Sequence, residues 1–201
     1  MKRTFLSIAA ISAALVFSSC QSTKVERVAS STVTDYSGYW NDTDVRLVAE
    51  EIINDCLSSP NIANFSSKNG RLPVIIVGSF RNKSDEHIDT EILTKKLESS
   101  LVNSGVVEFV SSSSEREEIR AERNDQQYNS SEDSAKSLAN ETGADYMLQG
   151  SIKTIVDSVD NKMTRTYYVT TEMVNIETNK KIWMNDNSSI KKIIKKSSVR
   201  M

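Results

Sequence analysis

RLPVIIVGSFRNKSDEHIDTEILTKKLESSLVNSG, residues 71–105, runs through a strand, a turn and a helix in one sweep. Pro73 opens an apolar, β-branched run from Val74 to Val77 that Gly78, Ser79 and Phe80 complete; it is too short for a helix and reads as a buried strand. A polar turn follows over 81–86. Ile88, Ile92, Leu93, Leu97 and Leu101 then recur at helical spacing, with Asp89, Thr90 and Glu91 in a first turn where carboxylates suit the helix dipole. Asn103, Ser104 and Gly105 stop this helix, and Val106–Val110 is a second strand. A strand, helix, strand unit of this length implies a parallel pair joined by a right-handed crossover, so the core is an α/β layer structure.

Upstream, Val45, Val48, Ala49, Ile52, Ile53, Cys56 and Leu57 form the apolar stripe of one helix, with Asn41, Asp42, Thr43 and Asp44 as candidate caps and Pro60 as its end. Residues 61–69 read as a polar connection. Tyr36, Tyr39 and Trp40, just ahead of the helix, are either a hydrophobic staple or an aromatic contact surface. Downstream, Ser114 and Glu117 suggest a capping box for a very polar helix from Glu115 to about Asn124, broken over 126–130. A further helix starts at Ser131 or Glu132, runs through Ala135, Leu138 and Ala139, and closes at Gly143. Tyr146–Val156 is a strand with a kink or bulge at Gly150, 157–161 a turn, Tyr167–Ile176 an antiparallel partner, 177–180 a turn and Ile182–Ile190 a return strand. The expected fold is therefore a single mixed sheet, a parallel pair plus an antiparallel C-terminal meander, flanked by about four helices.

At the N-terminus, Lys2 and Arg3 precede an apolar segment from Phe5 to Phe17 that Ser18, Ser19 and Cys20 close, which reads as a lipoprotein signal over 1–19 with lipidation at Cys20. The competing reading is an ordinary secretory signal that leaves Cys20 as a free thiol. No later run has the roughly 20 apolar residues that a membrane span needs, so the chain is expected to be anchored by lipid rather than to cross the bilayer. Residues 20–38 read as a flexible tether, 39–192 as one globular domain and 193–201 as a basic tail, part of a cluster of Lys191, Lys192, Lys195, Lys196 and Arg200 that is expected to be solvated. Cys56 is expected to be buried and unpaired.

Composition excludes several functions. With 38% hydrophobic and 26% charged residues the chain has room for one good core. Removing Lys2 and Arg3 with the signal leaves 23 of the 25 basic side chains against 27 acidic ones, and an acidic chain without a basic face is no nucleic-acid binder. His87 is the single histidine; beside Asp85 and Glu86 it reads as a polar cap or surface residue, and no serine stands in a nucleophile-elbow context. One histidine and one internal cysteine cannot make a usual metal site, and no glycine-rich phosphate loop is present, so no cofactor is expected. Asp85, Glu86, Asp89 and Glu91 cluster at a helix start, where pKa values fall; a glycosidase acid needs a raised one.

Three segments carry a resemblance: VIIVGSFRNKSDEHIDTEIL at 74–93, ETGADYMLQGSI at 141–152 and YYVTTEMVNIETNKKIW at 167–183. In this order and spacing they resemble the LpoB-type lipoproteins that activate penicillin-binding proteins, over about Tyr39 to Lys192. The resemblance implies a TolB N-terminal-like fold, no catalysis, and a lipid-anchored periplasmic monomer that docks onto a bifunctional class A penicillin-binding protein, with a lipoprotein subunit of a secretion or flagellar-motor assembly as the alternative. Gln21 after Cys20 fits outer-membrane sorting, while the short tether leaves inner-membrane anchoring open. An activator's contact residues should be exposed and rich in Arg and aromatics. Arg81 and Asn82 sit at the carboxyl end of a parallel strand, a common binding position, and Tyr168 alternates with Tyr167 so that only one of the two can face the core. These three are the candidate docking residues, against a plainer reading as a tight turn held by Asn82 and aromatic packing in the sheet.

Overall fold

The computed structural model describes residues 24–129 and 141–195. The chain divides into two units, 1–32 and 33–201. In the first, the amide of Thr32 closes a turn on the carbonyl of Ala29 (2.9 Å).

The second unit opens on an arm, 33–40, and on α1 (Asp42–Leu57). Asn41 caps α1 by accepting from the amides of Thr43 (3.0 Å) and Asp44 (3.3 Å), and the Asp44 carboxylate accepts from the Asn41 amide in return (3.0 Å). This reciprocal box satisfies amides that the helix itself cannot. The expected stripe from Val45 to Cys56 is buried. Residues 61–69, expected as a connection, instead belong to α2 (Pro60–Asn69). Proline ends a helix that precedes it but is preorganised for the first position of the next, and Gly70, at φ 66°, stops α2 in the left-handed region.

Strand β1 (Val74–Asn82), helix α3 (Thr90–Ser104) and strand β2 (Glu108–Phe109) form the parallel unit. Asp89 caps α3 through the Glu91 amide (2.9 Å). Leu93, Leu97 and Leu101 are buried on one side, whereas Ile92 points to solvent and leaves the stripe one residue narrower than expected. Helix α4 (Ser113–Asn129) begins with Ser112 and Glu115 as its box, two residues ahead of the expected pair: the Ser112 amide donates to Glu115 (2.9 Å) and the Glu115 amide to Ser112 Oγ (3.5 Å). It continues past the expected break at Gln126, supported by side-chain pairs one turn apart, Gln126 to Glu122 (2.9 Å) and Asn129 to Asp125 (2.7 Å). The helix expected over 131–139 lies outside the described residues.

Strands β3 (Tyr146–Val159), β4 (Lys162–Asn175), β5 (Lys181–Asn187) and β6 (Lys191–Lys195) complete a six-stranded mixed sheet in the order β2-β1-β3-β4-β5. Beyond β5, β6 pairs with the first part of β4. The expected meander is present, with two differences. The turn tightens to Asp160 and Asn161, with Asp160 at φ 52°, and the segment from Lys191 that was expected as a solvated tail continues the sheet. The irregularity expected at Gly150 falls on the other strand: Val77–Phe80 on β1 spans Leu148–Gly150 on β3, so β1 carries the extra residue. Gly150 is needed because a Cβ there would lie 2.5 Å from the Phe80 ring and 2.6 Å from the Thr170 carbonyl. Arg71 clasps Asp145 with two bonds of 2.7 Å, and Asp145 accepts from the Val74 amide (2.8 Å), so one ion pair sets the starts of β1 and β3 side by side.

The core lies between the sheet and α1, α2 and α3. Along β4, Arg165, Tyr167, Val169, Thr171 and Met173 are buried on this side, and the alternating residues face the other way. Cys56 is buried and unpaired, and burial pushes its thiol up to about 12. Among the described residues no helix is long and apolar enough to cross a membrane.

Candidate docking surface

Arg81 pairs across β3 with Ser151, Ser151 with Thr170, and Thr170 with Asp186. This row runs over the side of the sheet opposite α1 and α3. Tyr168, in the next row beside Lys153, shares that side. The structure thus brings Arg81 and Tyr168 onto one face and puts Tyr167 in the core, fully buried. A hollow of about 180 Å³ opens beside Arg81, with Lys83, Gln149 and Glu172 also on its walls. Glu172 accepts from Gln149 (2.9 Å) and pairs with Lys181, and Lys181 holds its carboxyl below the usual range.

Asn82 has a different place. It alternates to the other side of β1, and its amide group closes the turn: Nδ2 donates to the Glu86 carbonyl (2.7 Å), and Oδ1 accepts from the Ser84 amide (2.9 Å) and hydroxyl (2.6 Å). It shapes the loop that presents Arg81. His87 is exposed.

The same loop turns Glu86 inward and holds Asp85 at the surface beside it, which the sequence alone did not reveal. Glu86 meets the guanidinium of Arg165, which is only 4% exposed, and accepts from the hydroxyl of Tyr167 and from the amide of Trp40 (3.0 Å). Asp85 takes a second Arg165 nitrogen (3.0 Å) and the Thr154 hydroxyl (2.6 Å); the hydroxyl bond leads in lowering its carboxyl below the usual value. For Asp85 the fall therefore comes from Thr154 on β3 and Arg165 on β4 rather than from a helix start. Tyr39, half-exposed, stacks its ring 4.8 Å from the Arg165 guanidinium. Trp40 packs 5.2 Å from Tyr167, while Tyr36 is exposed. A second buried cation completes the cluster: Lys192 donates to Asp44 (2.6 Å) and to the Tyr39 carbonyl (2.6 Å), with Asp35 at 3.2 Å. Burial raises the Asp44 carboxyl, and Lys192 opposes that rise. The signal in the sequence was the alternation itself, since Arg165 and Lys192 occupy core-facing positions and a buried cation needs a carboxylate.

A larger hollow, about 600 Å³, opens between α3, α4 and the edge of β1. Lys95 bonds Glu98 on its own helix (2.8 Å) and reaches across to Glu115; the Lys95 bond first, then those from the Ser112 amide and hydroxyl, hold the Glu115 carboxyl down at about 2. Among the described residues no group of His, Cys, Asp and Glu is placed to hold a metal ion.

The sequence profile of the peptidoglycan-synthase activator LpoB matches residues 44–189. The chain belongs to the LpoB family. That span takes in α1, the turn with Arg81 and Asn82, and Tyr168. Among solved structures, the LpoB C-terminal domain from Salmonella enterica is 18% identical, covering 68% of this chain and 94% of that one with a TM-score of 0.34. The Escherichia coli LpoB C-terminal domain is 20% identical, covering 62% and 92%, also at 0.34. The lipoprotein GNA1162 from Neisseria meningitidis is 11% identical over 63% and 88%, at 0.37. A search of curated proteins finds no match. At these scores the assignment stands on the LpoB sequence match and not on the superpositions.

Proposed function

We propose that this chain is a lipid-anchored periplasmic regulator that docks onto a class A penicillin-binding protein and raises its peptidoglycan synthesis, without catalysis of its own. The observation that carries this reading is the family match across the whole of residues 44–189. Cys20 bears the lipid, and the protein works as a monomer on the periplasmic side of the outer membrane. Thirteen residues, from Cys20 to Thr32, separate the anchor from the second unit. Fully stretched they reach about 45 Å, so the synthase must approach the anchoring leaflet closely.

Arg81 and Tyr168 contribute to the docking face from one side of the sheet, and Asn82 contributes by holding the turn. An activator of this kind acts by binding the active state of its partner more tightly than the inactive one. The test is Arg81→Glu in the mature chain, with affinity for a purified class A synthase, synthesis rate and thermal melting measured together. Lost affinity and activation at unchanged melting support the reading; unchanged affinity at unchanged melting removes this turn from the interface. If wild-type protein neither binds nor stimulates any class A synthase of its cell, the reading fails and the partner must be sought in another envelope assembly.

A further inference from the structure

Past Ile152 the sheet narrows to a three-stranded ribbon: the far half of β3, the first residues of β4, and β6. Register fixes what its outward face carries. Ile155 pairs with Thr166 and Thr166 with Lys191; Asp157 with Thr164 and Thr164 with Ile193; Val159 with Lys162 and Lys162 with Lys195. Ile155, Val159 and Ile193 are 59%, 67% and 68% exposed. Lys162, Lys191 and Lys195 are exposed too, and among the described residues none of them has an ion-pair partner. Three cations thus stand among three bare aliphatic side chains, with Asp157 the single acid in these rows. Lysines on an edge strand discourage unwanted strand pairing, but that purpose does not call for isoleucines between them.

The mature chain as a whole is acidic, so its net charge would repel an anionic surface. Screening limits such forces to about 8 Å at physiological salt, and within that range the ribbon's own charge decides. The arm that leads back to the anchor leaves the domain here. Asp35 lies 3.2 Å from Lys192 on the inner side of β6, and Gly38 packs so closely on Ile194 that no Cβ would fit. Thirteen residues, Cys20 to Thr32, join the anchor to this arm, so the ribbon can stand no further than about 45 Å of chain from the leaflet that holds Cys20.

We propose that the outward face of this ribbon rests on an acidic phospholipid leaflet, with Ile155, Val159 and Ile193 entering the headgroup layer and Lys162, Lys191 and Lys195 meeting lipid phosphates. Surface binding of this kind adds buried apolar area to electrostatic attraction. The inference takes only the nearness of the leaflet from the proposed lipidation, and the affinity itself is measured without the lipid.

The test uses the mature chain with Cys20→Ser in vesicle flotation, comparing phosphatidylglycerol–phosphatidylethanolamine vesicles with phosphatidylcholine alone. Partition onto the acidic vesicles is expected to be at least about tenfold greater and to fall as salt is raised. Lys191→Glu/Lys195→Glu should lower it at least about tenfold, Ile155→Ser/Ile193→Ser should also lower it, and Arg81→Glu should leave it unchanged. All four ribbon positions are exposed, so thermal melting should not move; Lys191→Gln/Lys195→Gln serves if the reversed pair does not fold. Equal partition onto both vesicles, no partition, or insensitivity to the lysine variants overturns the proposal. Loss of synthase or sacculus binding in these variants, without vesicle binding by the wild type, assigns the ribbon to a protein or glycan instead. Synthase activation assayed in detergent is independent of this result, so a failure of the proposed function leaves the membrane reading standing.

Discussion

Lys192→Met should be among the most destabilising single changes outside the aliphatic core. The Lys192 ammonium lies 2.6 Å from Asp44, and the two side chains are 7% and 6% exposed. A solvated pair contributes about 0–1 kcal/mol. Removing one member of a buried pair leaves the other charge uncompensated and costs about 3–5 kcal/mol. Asp44 also accepts from the Asn41 amide, so the change strains the cap of α1 as well. Asp44→Asn in the same background relieves the stranded charge and should recover part of the loss, with a coupling of about 0.5–3 kcal/mol. Urea unfolding of the mature chain followed by circular dichroism measures both. The pH dependence carries a second signature. Burial already lifts the Asp44 carboxyl above its usual value against the pull of Lys192; without that pull, the folded variant takes up a proton more readily than the unfolded one. Its stability should therefore rise as pH falls through the folded-state value towards the usual carboxylate value, and the gap to wild type should narrow. A loss under about 1 kcal/mol, or a gap that is flat with pH, would return Lys192 to the solvated tail the sequence suggested.

Gly150→Ala should cost about 1–3 kcal/mol or more, because one of the two clashes is with the Thr170 carbonyl, which cannot turn aside; near-neutral melting would mean that β1 and β3 pair differently. Leu97→Ala, fully buried on α3, should cost about 2–5 kcal/mol by chemical denaturation. Glu115, held at about 2 against a usual 4.5, contributes stability that is present above the usual value and lost as pH falls towards the folded one; Glu115→Gln should flatten the acid limb of the melting curve over that window. The Cys56 thiol, buried and raised to about 12, should resist a thiol reagent in native buffer and react once urea unfolds the domain.

Wherever burial imposed a period, the sequence could be read. The stripe of α1, the leucines of α3 and the alternation of β4 all follow from one face meeting the core. It was least legible where side chains meet water. Helix α2 buries Ile62 fully and packs Phe65 only in part, so its periodicity was too thin to outweigh a proline that also reads as a stop. The outer reach of β3 and β4 has no core to alternate against, and the hairpin turn was placed too wide there. Lys191 to Lys195 looked like a solvated charge run because neighbouring lysines are usually surface residues; in a strand, neighbours face opposite ways, and Lys192 is the one that goes in. Arg81 is exposed and Tyr168 half-buried on the sheet face opposite α1 and α3, where strand position and alternation put them. The turn-holding role of Asn82 was the plainer of its two readings, and its bonds to Ser84 and Glu86 match it.

The pairing of β6 with the arm at Asp35–Tyr39 also sets how the domain carries load. Any pull on the N-terminal chain enters at the Thr34 amide on Thr43, at Asp35 on Lys192 and at Gly38 wedged on Ile194. From there it passes into β6, along the first rungs of β4, and into the Arg165 cluster that grips the loop after β1. Tension is spread over two buried cations and a β-ladder before it reaches the leucine core of α3. The sheet face with Arg81 lies beyond that grip, so under such a pull the clasp of β6 should yield before that face does.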